Sequence, residues 1–186
     1  MKRSIRALSV WAAVLSGSWA YASAAANPTA LAIIESKSDS KVTGKATFTQ
    51  LPSGKTRVQV TISGATPGMH GLHVHEKGDC SAPDATSAGG HFNSAGNPHA
   101  APTDAKHHNG DLGNIKIGSD GKGTLKIETD MLTVTEGPNS VVGKAVIFHE
   151  KADDMTTQPT GNAGARYGCG VVALTPTGKA NAQKIR

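Results

Sequence analysis

The tightest constraint on this chain lies between Gly68 and Asp111, where seven of its eight histidines fall. The stretch opens GMHGLHVHEKGDC and ends KHHNGD. Residues i and i+2 of a strand point to the same face, so a strand through His73-Val74-His75 aims two imidazoles at one metal. His91, His99, His108 and Asp111 follow at spacings that suit loop ligands around a second metal. Imidazole suits copper and zinc, and three imidazoles with one carboxylate make an acceptable tetrahedral zinc site. The stretch therefore reads as a two-metal centre on a strand and the loop that leaves it.

The rest of the chain must supply a fold that holds such a loop. From Thr29 onward the pattern is all-β. Ala32-Ile33-Ile34 starts a strand, and Val42 to Leu51 supplies another. Pro52-Ser53-Gly54 marks a turn. Val58, Val60 and Ile62 then alternate with polar residues, the period of a strand with one buried face. After the long connection from Lys77 to Asp111, Ile115 and Ile117 resume the alternation. Ser119-Asp120-Gly121-Lys122 predicts a hairpin, with Leu125 and Ile127 sharing a face beyond it. An apolar run from Ala145 to Phe148 ends at His149. A second long loop, Glu150 to Arg166, leads to a last strand from Cys169 to Leu174. Helical periodicity is absent, so an antiparallel sandwich or barrel is expected. A loop as long as the first needs something to order it, and metal coordination would do so.

The first residues stand apart. Lys2, Arg3 and Arg6 precede a mostly apolar run from Ala7 to Leu15, and Ala22-Ser23-Ala24 offers small residues for cleavage. Residues 1–25 thus read as a secretory signal, with cleavage near 24–26. The apolar run is too short to span a bilayer, and no cysteine sits at the cleavage point, so no membrane anchor is expected. The net charge of +5 falls by the segment's three basic residues to +2. No basic run with interleaved aromatics remains, which argues against nucleic acid as a partner. Trp11, Trp19 and Tyr21 leave with the segment, so the core must be chiefly aliphatic. The domain is expected over residues 29–175, followed by a polar tail, 176–186.

Five segments, GLHVHEKGDC, TSAGGHFN, HHNGDLGN, FHEKADD and GNAGARYGCGV, occur in that order at compatible spacings. Together they resemble the copper/zinc superoxide dismutases over nearly the whole chain after the first thirty residues. The resemblance implies an eight-stranded Greek-key β-barrel or sandwich with two long functional loops. It implies copper on His73, His75, His91 and His149, and zinc on His91, His99, His108 and Asp111. His91 would then serve both metals through its two ring nitrogens. Asp153 matches the family's carboxylate that bonds a copper-side and a zinc-side histidine, which the resemblance implies are His73 and His99. Arg166 matches the arginine that positions the anion beside copper. His107 is expected as a solvent-facing loop residue, although an exchange with His108 stays open. His70 is expected in a structural hydrogen bond, and Asp154 as a solvated loop acid.

The activity implied is conversion of two superoxide anions and two protons to dioxygen and hydrogen peroxide. It would run as a ping-pong cycle between Cu(II) and Cu(I), with His91 as the bridge that takes and returns a proton. Cys80 and Cys169 are an even pair in a chain expected to be exported, which favours a disulfide. Two free or metal-binding thiols are the alternative. Disulfide and signal together point to a periplasmic location, and both monomer and homodimer stay open. One departure stands out: Met155 to Gly164 is short and uncharged. Thr160 keeps its family position, but the lysine that guides the anion is missing, with Lys151 or Lys77 as candidate substitutes. A metal buffer without turnover is the competing function. A zinc hydrolase fits less well, because four protein ligands close a zinc site that hydrolysis needs open.

Overall fold

In the computed structural model, residues 27–176 are described. The segment expected as a secretory signal and all but the first residue of the expected polar tail lie outside them. Nine strands follow one another: β1 (Thr29–Ser36), β2 (Thr43–Gln50), β3 (Thr56–Ser63), β4 (Gly68–His75), β5 (Asp111–Ile117), β6 (Gly123–Thr129), β7 (Ala145–His149), β8 (Arg166–Val171) and β9 (Ala173–Leu174). The first eight pair antiparallel in the order β5-β4-β7-β8-β1-β2-β3-β6, and β9 adds to β1. The two ends of this path, β5 and β6, are joined by the predicted hairpin, which Gly118 closes by donating to the Lys122 carbonyl at 2.8 Å. The sheet is thereby curled into a nearly closed eight-strand barrel. Gly123 is needed at that seam, since a Cβ there would stand 2.5 Å from the Lys116 carbonyl oxygen. β6 returns beside β3 with β5 and β4 beyond it, which is a Greek-key order.

Strand formation follows the alternation read from sequence. In β3, Thr56, Val58, Val60 and Ile62 are buried while Gln59 and Thr61 are exposed. In β1, Ala30, Ala32 and Ile34 point inward. The barrel core is built from such aliphatic residues, joined by all three phenylalanines, Phe48, Phe92 and Phe148. β4 is different because both of its faces are covered. Leu72 and Val74 enter the core, while His73 and His75 are equally buried on the outer face.

Three expectations are corrected. The last strand begins at Arg166 rather than Cys169 and breaks at Val172. There the backbone turns to the 143–144 corner, Val172 donating to the Lys144 carbonyl and accepting from the Gly143 amide at 2.9 Å each. The chain is not wholly free of helix, since Thr86–Ala88 forms a single 3-10 turn inside the first long loop. His107, expected to face solvent, is buried. No helix among the described residues is long and apolar enough to cross a membrane.

Candidate metal centre

β4 supplies the first two imidazoles because neighbours on both sides fix its register. His73 stands opposite Asp111 of β5 and Ile147 of β7, and His75 stands opposite Ala145. The first long loop then folds back against β4. Phe92 donates to the Val74 carbonyl at 2.8 Å, Gly110 to Phe92 at 2.9 Å, and Val74 to Gly110 at 2.9 Å. Gly110 is required, because a Cβ there would run into the Val74 carbonyl. These bonds bring His91 and His108 to the outer face of β4, and β7 delivers His149 at its last residue.

Two clusters result: His73, His75, His91 and His149 in one, and His91, His99, His108 and Asp111 in the other. Within each, the candidate ligand atoms lie within 4.8 Å of one another. All seven residues are buried. In the first cluster the Nδ1 of His73 and the Nε2 atoms of His75, His91 and His149 have no hydrogen-bond partner. A buried polar atom without a partner is rare and costly. Four converging lone pairs of this kind match what a copper ion accepts. In the second cluster the Nδ1 atoms of His91, His99 and His108 surround Asp111 Oδ1 at 3.0, 3.0 and 3.4 Å. Three imidazoles and a carboxylate fit zinc. His91 lies between, one ring nitrogen turned to each cluster.

The ring nitrogens facing away from the clusters are held by the protein. Asp153 accepts from His73 Nε2 at 2.7 Å and from His99 Nε2 at 3.0 Å, so one carboxylate spans both clusters. Asn114 of β5 fixes that carboxylate's backbone with two bonds of 2.8 Å. His75 Nδ1 donates to the Gly89 carbonyl at 2.9 Å, and His149 Nδ1 to Gly164 at 3.3 Å. Such partners set tautomer and orientation. Burial, and then the neighbouring His91, push His73 and His75 well below the ordinary imidazole range. Burial takes His149 down to about 3. Burial would raise Asp111, but its bond with His91 and the other two imidazoles outweigh that and hold it at about 2. The rings of His73, His75 and His149 are therefore held neutral and the Asp111 carboxylate charged, the state in which each can ligate.

Arg166 opens β8 directly opposite His149 in the β7 register. Its Nη1 donates to the Ala85 carbonyl at 2.8 Å. Its charge acts to disfavour protonation of both His75 and His149. Cys80 and Cys169 form a disulfide with Cα atoms 5.8 Å apart, tying the first loop to β8 three residues beyond Arg166. His70 is buried, with its two ring nitrogens 2.9 Å from the His149 and Thr66 carbonyls, which makes it the structural bond expected.

His107 is not solvent-facing. It is 6% exposed, donates from Nδ1 to the His108 carbonyl at 2.7 Å, and accepts from Asn97 at its own carbonyl. It belongs to neither cluster, and His108 is the ligand-side member of the pair. Asp154 is exposed as expected, but it also organises a turn by accepting from the Thr156 and Thr157 amides. Lys77 and Lys151 are both exposed. The carbonyls of Ala85, Gly89 and Gly164 were beyond sequence reading, because a backbone acceptor carries no side-chain mark.

An antiparallel barrel bearing two histidine clusters that share one imidazole defines a dinuclear metalloprotein. Residues 42–172 match the family model for copper/zinc superoxide dismutase. The chain is 46% identical over 139 residues to superoxide dismutase [Cu-Zn] 2 of Brassica juncea, covering 72% of this chain and 90% of that protein. Its structure is similar to the crystal structure of the clock protein EA4, with a TM-score of 0.73 and 38% identity over 80% of this chain and 96% of that one. The chain belongs to the copper/zinc superoxide dismutase family. It is an oxidoreductase that acts on superoxide, with copper and zinc as its cofactors.

Proposed function

We propose that copper is held by His73, His75, His91 and His149, and zinc by His91, His99, His108 and Asp111. The observation that carries this reading is the set of four buried ring nitrogens without partners, one of them on the ring that also faces Asp111. Copper supplies a one-electron change in each half of the cycle, and zinc supplies charge and order. With copper bound, His91 would take a proton at Nε2 as the first superoxide gives up its electron to the metal and leaves as dioxygen. It would return that proton to the second superoxide, which would gain the electron back from copper and a further proton from water and leave as hydrogen peroxide. His91 could take that proton at Nε2 because this atom has no hydrogen-bond partner in the protein, while its Nδ1 is turned to Asp111. Arg166 presents a fixed guanidinium to the incoming anion, held in place by the Ala85 carbonyl.

Superoxide decay followed directly, on protein loaded with both metals or with zinc alone, tests this. Decay should require stoichiometric copper. Two tightly bound metals with no copper-dependent decay would favour a metal buffer. In the same assay Arg166→Ala should lower the rate constant by about tenfold, within the range that a focused charge gives encounter rates, for which superoxide dismutases are a standing example. Metal analysis of that variant should find both metals retained. An unchanged rate, or loss of copper, removes Arg166 from this role.

The protein is also proposed to be exported to the periplasm. The basic, apolar and small-residue order of its first 25 residues and the Cys80–Cys169 disulfide support that location. A homodimer is supported by Ile33 and Val171, exposed apolar side chains on the neighbouring strands β1 and β8. The first residue of the exported protein and its sedimentation read these two proposals.

A further inference from the structure

The backbone around His99 belongs to no strand, yet its imidazole is fully buried and aimed at Asp111. The His99 N–H donates to Gln158 Oε1 at 2.8 Å, and Gln158 Nε2 donates back to the His99 carbonyl at 2.7 Å. One side-chain amide thus satisfies both backbone groups of one residue, as a neighbouring strand would. Gln158 Nε2 also reaches the Thr156 carbonyl at 3.2 Å, which restrains its own conformation. The same loop grips the ring, since Asp153 Oδ1 accepts from His99 Nε2 at 3.0 Å. Gly161 shows how closely the loop is pressed there. A Cβ on it would lie 2.6 Å from His99 Nε2, at a φ of +66° that already favours glycine.

We propose that Gln158 is the positioning residue for the zinc ligand His99, and that the short loop 150–165 acts as a clamp on the zinc side of the centre. This rests on the reading of His99 as a zinc ligand. Met155 to Gly164 contains no charged residue, so this stretch cannot steer an anion by its side-chain charges. What the loop 150–165 does provide is contact with His99 at the amide and carbonyl, from Gln158, and at the outward ring nitrogen, from Asp153. With those three points fixed, the remaining ring nitrogen, Nδ1, is held 3.0 Å from Asp111 Oδ1. Removing the Gln158 amide strips both backbone bonds at once, and the ring's aim then depends on Asp153 alone. Ligand geometry tolerates little such slack.

The test is Gln158→Met, which keeps the length of the side chain and loses its hydrogen bonds. Gln158→Asn, one methylene too short to span both groups, is made in parallel so that a folding failure in one leaves the other. Zinc and copper affinities are measured separately by chelator competition, and cobalt(II) is bound at the zinc cluster to report ligand geometry in its visible spectrum. Zinc and cobalt affinities should fall about tenfold or more, as for other partners that orient a ligand, while copper affinity stays within about twofold. The cobalt band should change in position or intensity. Unchanged zinc affinity with an unchanged cobalt spectrum would overturn the proposal. Equal losses of copper and zinc would overturn it too, since they mean general loosening rather than a clamp on one ligand. A wild-type protein that binds no zinc overturns the ligand reading underneath, and the proposal with it.

Discussion

Replacing Cys169 by serine should lower the unfolding free energy of the metal-free protein by about 4–5 kcal/mol, the value chain entropy assigns to opening a loop of this length. The bond joins positions 89 residues apart, so the denatured chain is strongly restricted while it is intact. For a domain of this size the loss corresponds to a fall in thermal midpoint of about 10 °C or more. The same substitution should reduce activity before it unfolds anything. The disulfide anchors the loop that carries Ala85, whose carbonyl holds the Arg166 guanidinium. Cys80→Ser should reproduce both effects, because the two cysteines act through one bond. Urea titrations of the metal-free variants decide the first effect and superoxide decay of the loaded variants the second. A midpoint equal to wild type would show that the first loop is held by its backbone bonds to β4 instead.

Metal-free protein should lose stability steeply as the pH falls below about 6.5, by roughly 3–4 kcal/mol per pH unit at the steepest. His73, His75 and His149 have folded pKa values depressed from 6.5 by burial, His149 to about 3, and His108 is lowered in the same direction. Below 6.5 the unfolded chain takes up protons that the folded chain refuses. Their stabilising contribution is therefore complete above 6.5 and declines as pH falls toward the folded values. His99 works the other way. Burial lowers it, but Asp153 and Asp111 outweigh that and raise it, so its contribution is complete below 6.5 and is lost as pH rises through its folded value. Asp111, held near 2 against an ordinary 3.8, opens a second and lower window, its contribution disappearing as pH falls from about 4 to about 2. Bound metals compete with protons for the same lone pairs, so the loaded protein should keep its stability to lower pH. Urea midpoints of the metal-free protein at about pH 7 and about pH 5 test this. Equal midpoints would mean that the rings are solvated once the metals are gone.

The strands and the clusters were largely legible because both rest on short-range order in the chain. Alternation at Val58, Val60 and Ile62 has a period that only a pleated strand turns into one face, and His73-Val74-His75 uses the same period for chemistry. The two cysteines could be paired because there were only two. The burial of His107 is not legible, because neighbouring loop histidines look alike until the backbone carbonyl that takes the Nδ1 proton is known. The start of β8 is hidden because Arg166 and Tyr167 do not have the apolar look of a strand, although the pairing of Arg166 with His149 begins one there. Gln158 was invisible for a different reason. An uncharged amide in a loop has no pattern, and only the position of His99 gives it a role.

β4 divides its labour by the parity of its residues, core on one side and chemistry on the other. A one-residue insertion between Gly68 and Leu72 would exchange the two sides, driving imidazoles into the barrel and leaving leucine and valine to face the loops. Substitutions, by contrast, leave that assignment alone. The hydrophobic interior can therefore drift in side-chain identity at Leu72 and Val74 without disturbing which residues face the metals. Descent of this centre is tolerant of replacement and intolerant of changes in reading length, and a library aimed at it should vary letters in β4 but never their number.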